Sequence, residues 1–102
     1  MDGYERLASA VVAQAEMDYI TCHRLIKEHS RKIKKLEADL SRLPRNRDAI
    51  MKRIGELELK IEKLRYEIDE IINFFNSSRF RIFSDKNPER LISKLEEIVN
   101  DS

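Results

Sequence analysis

The sequence predicts an all-α fold: a long antiparallel helical hairpin of coiled-coil type, with a short third C-terminal helix packed on an N-terminal overhang. Three observations carry this expectation. Charged residues make up 38% of the 102-residue chain, well above the roughly 25% of an ordinary domain and typical of long helices. Apolar residues recur in alternating steps of three and four over two long stretches, the signature of a helical seam. Two glycines and two prolines are too few for the turns of a sandwich or barrel, and they supply no phosphate-cradling loop. The length fits a single domain, 1–102.

The first helix is expected over residues 4–42. Its seam runs through Ala8, Val12, Ala15, Tyr19, Cys22, Ile26, His29, Ile33, Leu36, Leu40 and Leu43, with His29 the one polar member. The run Leu43-Pro44-Arg45-Asn46-Arg47-Asp48 breaks the pattern, because Pro44 disfavours the helical region at the residue before it. A turn at 43–47 follows, and so short a connection makes its flanking helices antiparallel neighbours. The second helix, 47–76, carries Ile50, Ile54, Leu57, Ile61, Leu64, Ile68, Ile71 and Phe75 without a miss. Exposed pairs at i,i+4 (Arg24/Glu28, Glu28/Lys32, Lys52/Glu56, Glu56/Lys60, Lys63/Glu67) support both helices, each by about 0.2–0.5 kcal/mol.

At 1.5 Å per residue the first helix spans about 60 Å and the second about 45 Å, so the first overhangs. Residues 77–87 read as a loop, where the alternation of Phe80 and Ile82 is too short for a paired strand. A last helix over 88–99 starts from Asn87 as N-cap, Pro88 at the first helical position and Glu89 in the first turn, followed by Leu91, Ile92, Leu95, Ile98 and Val99. It is expected on the stretch from Ala8 to Tyr19, where Ala8, Ala10, Ala13 and Ala15 admit a close backbone. Phe74, Phe75, Phe80 and Phe83 are expected to plug the junction.

A hairpin buries one seam only, which favours a homo-oligomer. Leu7, Ala10, Ala13, Met17 and Ile20 form a second apolar stripe on the first helix. Two readings stand: the last helix and the phenylalanines cover it, or it is an oligomer or partner interface.

The net charge of +1 hides a segregation. Between Arg31 and Arg53 stand nine basic and three acidic residues, a local balance of +6 that leaves −5 for the rest. A rod with a basic tip can meet an acidic protein face or a phosphate backbone, and Lys32, Lys35, Arg42, Arg45, Arg47 and Arg53 are its candidate contacts. The cluster lacks the interleaved aromatics that single-strand stacking needs.

Catalytic candidates are few. Cys22, His23 and His29 are the only plausible nucleophile, base or soft metal ligands. The histidines are six residues apart, nearly opposite in azimuth, so the i,i+4 spacing of a helical zinc pair is absent. Cys22 and His29 share the seam but stand about two turns apart, roughly 10 Å. Cys22 therefore reads as a small buried apolar residue, and His29 as a polar seam residue whose protonation, if buried, would loosen the hairpin. Arg24, Asp18 and Glu28 could meet across subunits, but no poised carboxylate pair is present. No catalytic residue, metal or cofactor is expected. The lone cysteine fits a reducing compartment, and the first residues, Met1-Asp2-Gly3-Tyr4-Glu5-Arg6, lack a basic region before an apolar core. The expected location is cytoplasmic, with no membrane partner.

Two segments resemble small uncharacterised proteins encoded in phages and mobile elements of Gram-positive bacteria. The first is Ala10-Val11-Val12-Ala13-Gln14-Ala15-Glu16-Met17-Asp18-Tyr19; the second runs from Glu67 through Phe74-Phe75-Asn76-Ser77-Ser78-Arg79-Phe80 to Asn87-Pro88-Glu89-Arg90-Leu91-Ile92. Together they cover about half the chain. Gln14, Ala15, Asp18 and Tyr19 match a Gln-Ala-x-x-Asp-Tyr stretch of the first helix in that group, and Phe74, Phe75, Ser77 and Phe80 match an aromatic pair, a Ser and an aromatic before a short Asn- or Asp-capped helix. Arg79 stands where a Trp is usual, and the hairpin from Arg31 to Leu64 is longer than in those relatives. The resemblance brings no established activity. Gln14, Asp18 and Ser77 are the candidate polar residues of the junction: the first two either cap the loop at Ser77 and Ser78 or touch a partner. The function expected is that of a non-enzymatic interaction module that binds and modulates a protein partner, as a dimer. The alternative is a nucleic-acid-binding accessory that uses the basic tip.

Overall fold

The computed structural model describes residues 3–42 and 44–101. Helix α1 spans Gly3–Arg42 and helix α2 Arg47–Phe75, with a 3-10 turn over Pro44–Asn46 between them; helix α3 spans Ser78–Phe83 and helix α4 Pro88–Asn100. No strand occurs among the described residues. Leu43, the last expected seam residue of α1, lies outside them. The molecule is a rod of 62 × 22 × 21 Å, as a 40-residue helix at 1.5 Å per residue requires.

The seam forms as the spacing predicts. Ala8, Val12, Tyr19 and Cys22 of α1 and Ile54, Leu57, Ile61, Ile68 and Phe75 of α2 are buried. The other described seam residues, His29 among them, are half-buried. Toward the tip from Ile54 no described residue is buried, because only two helices meet there. The Cys22 thiol lies 3.4 Å from the Glu67 carboxylate, which sets the antiparallel register: residue 22 of α1 stands opposite residue 67 of α2. Of the expected surface pairs, Glu28/Lys32 closes at 3.7 Å. Glu56 pairs instead with Arg53, three residues back, at 3.3 Å.

One segment differs from expectation. Residues 77–87 were expected to form a loop, yet Ser78–Phe83 is the short helix α3. The apolar spacing that matters there is Phe80 to Phe83, a step of three that turns both rings inward, while Ile82 faces solvent at 63% exposure. Phe80 is fully buried. It meets Phe75 edge-on, with ring centroids 5.5 Å apart at 80°, and Phe74 at 5.8 Å and 86°; Phe83 reaches Phe74 at 6.2 Å. The four phenylalanines plug the junction as expected.

The C-terminal helix is thus the fourth. Asn87 caps it, its side-chain oxygen accepting from the backbone N–H groups of Glu89 at 2.9 Å and Arg90 at 3.3 Å. Its buried face is Leu91, Leu95 and Val99, spaced by four along one stripe. The helix packs on α1 in the same direction, nearer the tip than the expected Ala8 to Tyr19 stretch. Lys86, just before it, pairs with Glu16 at 3.6 Å, and at its far end the Lys27 ammonium donates to the Val99 carbonyl. The outer end of α1, at Glu5, Ala8 and Ser9, is flanked instead by α3. The aromatic plug explains the displacement: α3 occupies the overhang, so α4 must start further along.

Candidate interaction surfaces

Two antiparallel helices present two flanks, and here they are treated differently. One carries α4, anchored from Glu16 to Lys27. The other is open and holds a groove of about 500 Å³ near the base. Ala10, Val11 and Ala15 of α1 and Ile71 and Phe74 of α2 form its walls, and Gln14, Asp18 and Glu70 its rim. The Gln14 amide donates to Asp18 Oδ1 at 2.8 Å, so both side chains lie along the rim. They do not cap the loop, as one expectation had it. Ser77 instead donates its hydroxyl to the Phe74 carbonyl at 2.7 Å, and so closes the end of α2.

The second apolar stripe is not covered by α4 and the phenylalanines. Leu7 and Met17 are 61% and 63% exposed, and Ala10 and Ala13 are also exposed. Only Ile20 is drawn against the core, because α4 occupies the α1 face that carries Glu16, Tyr19 and His23 rather than the stripe. Val11, Ile71 and Phe74, central to the groove, were not singled out as contacts by the sequence. The available signal was the doublet Phe74-Phe75: adjacent helical residues diverge by about 100°, so only one of them can occupy the seam.

Lys32, Lys35, Arg42, Arg45, Arg47 and Arg53 are all exposed. Lys32 and Arg53 pair with Glu28 and Glu56. Among the described residues, Lys35, Arg42, Arg45 and Arg47 pair with no carboxylate.

Cys22 is buried but not merely apolar, since its thiol donates to Glu67. Burial, that hydrogen bond and the Glu67 charge push its pKa up to about 11. The thiolate, which is the nucleophile and the metal ligand, is therefore scarce near neutral pH. Among the described residues no group of three His, Cys, Asp or Glu side chains could hold a metal ion. Among the described residues no helix is long and apolar enough to cross a membrane.

The titration of His23 is displaced by its surroundings. Its ring stacks at 4.6 Å and 54° on Tyr19, and its Nε2 is buried without a hydrogen-bond partner. Burial lowers its pKa below the usual 6.5 and the Lys27 charge lowers it further, while Glu96 opposes both. The neutral ring is thus the form the fold prefers. Its contribution is complete above pH 6.5 and is lost as the pH falls from there through the depressed folded value. The melting temperature of the chain, compared with that of His23→Gln, is expected to decline more between pH 7.5 and pH 5. Parallel declines would show that His23 plays no part.

The fold and these surfaces define an all-α helical hairpin, braced along one flank by its own C-terminal helix and open along the other. No family model, curated protein or solved structure matches the chain.

Proposed function

We propose that this chain is a non-enzymatic helical interaction module that binds and modulates a protein partner, of the phage or mobile-element kind that its two matching segments suggest. The observation that carries this reading is the open flank, with an apolar groove between two charged helices, α1 of which also leaves Leu7 and Met17 exposed. An apolar concavity with a polar rim suits a protein contact better than a solvated helix face does. The Cys22 thiol held protonated supports the absence of nucleophilic chemistry.

A nucleic-acid-binding accessory is the second reading, favoured by the four tip cations without carboxylate partners. Capture from lysate separates the two. Tagged protein is compared, with and without nuclease, with Ala10→Arg, which places a charge in the groove, and with a variant carrying Arg42, Arg45 and Arg47 changed to Glu. A discrete protein that survives nuclease and is lost with Ala10→Arg is the expected result. Retention that nuclease and the tip variant both abolish, and that falls steeply between about 50 and 200 mM salt, would transfer the function to nucleic acid.

A further inference from the structure

The open flank carries a charge pattern that is its own complement. The groove residues Val11 and Asp18 begin a stripe that continues at seven-residue intervals down α1 through Leu25 to Lys32. Phe74 begins the corresponding stripe on α2, which passes through Glu67 and Lys60 to Arg53. A seven-residue interval returns nearly to the same azimuth of a helix, so all eight residues share the open side. From base to tip the α1 stripe reads apolar, acidic, apolar, basic and the α2 stripe apolar, acidic, basic, basic, so each changes sign once, from acidic to basic.

The two changes of sign occur at the same height. Asp18 and Lys32 stand seven residues, or about 10 Å, on either side of Leu25. Glu67 and Lys60 straddle the midpoint between Lys63 and Leu64. Because Cys22 lies opposite Glu67, the antiparallel register places Leu25 opposite Leu64, and both stripes invert about one level of the rod.

We infer that the open flank receives a second copy of this chain, turned end for end about a two-fold axis at the level of Leu25 and Leu64. This deepens the interaction-module reading by naming the occupant of the same flank. A two-fold interface must be self-complementary, and this one sets Asp18 against Lys32 of the other copy, Glu67 against Lys60 and Leu25 against Leu25. The same rotation carries Arg53 of the other copy onto Phe74, whose ring accepts a cation on its face and an aliphatic stem at its edge. At coarser scale, the rotation brings the +6 segment between Arg31 and Arg53 alongside the base of the other copy, which belongs to a remainder whose balance is −5. The flank opposite to α4 is then closed as well.

The test is sedimentation equilibrium of the unmodified chain, Asp18→Lys and Lys32→Glu, each alone and the two variants mixed, with helicity checked by circular dichroism. Both substitutions fall on exposed positions, so folded variants are expected. The unmodified chain should dimerise, more weakly at about 1 M salt, where the screening length is near 3 Å. Each variant alone should dimerise about tenfold or more weakly, since two attractions at the interface become two repulsions. Mixing should restore association as a heterodimer, because Lys at 18 then meets Glu at 32. A monomer at every concentration overturns the inference, and so does a dimer that neither variant weakens or that mixing does not restore. A monomer that still captures a nuclease-resistant protein, lost with Ala10→Arg, overturns it while leaving the proposed function in place.

Discussion

Phe80→Ala is expected to cost about 3–5 kcal/mol, at the upper end for a single truncation. The ring has no solvent exposure, and it is the shared neighbour of Phe74 and Phe75, each met edge-on. Removing it costs the transfer of the ring, the cavity left behind and two aromatic contacts of about 0.5–1.5 kcal/mol each. The surroundings are poorly placed to collapse, since α3 is only six residues long and is held by that ring. A small domain has about 5–15 kcal/mol in all, so urea unfolding of this variant should begin at or near zero denaturant. An unchanged midpoint would mean that α3 is not part of the cooperative core.

The second large effect is expected in the two-helix section. Leu57 is fully buried, and by the register set at Cys22 and Glu67 it stands opposite residues 32 and 33 of α1. Leu57→Ala should cost about 2–5 kcal/mol. Leu59, two residues on, is 53% exposed, and Leu59→Ala should shift stability by no more than about 0.5 kcal/mol. Similar midpoints for the two variants in chemical denaturation would show that the seam is not the source of the hairpin's stability.

Much of this architecture was legible in spacing and punctuation. The steps of three and four located both long helices, and Asn87-Pro88-Glu89 marked the start of α4 to the residue, because cap chemistry is local and is written in the residues that perform it. Helix α3 was not legible. Over six residues a helical step of three and a strand-like step of two can coexist, so neither was decisive and the segment read as a loop; only the ring partners of Phe80 and Phe83 decide between them. The groove was hidden for a related reason. Whether Ala10, Val11 or Met17 is covered depends on which side of α1 the last helix takes, and that is fixed by the aromatic plug rather than by any residue of the stripe. The tip was legible throughout, since exposure of a basic cluster needs no tertiary information.

The thinning of the core toward the tip has a mechanical consequence. Among the described residues every fully buried side chain lies at Leu57 or closer to the base, and beyond Ile54 the described seam is only half shielded. Amide exchange follows such gradients, because a segment opens at the free energy of its own buried contacts and not at that of the whole. The basic end can therefore unzip and reclose by a turn or two while the aromatic base stays shut. The rod is held most firmly where it is anchored and least firmly where its positive charge is concentrated, so local opening at that end is expected to leave the aromatic base intact.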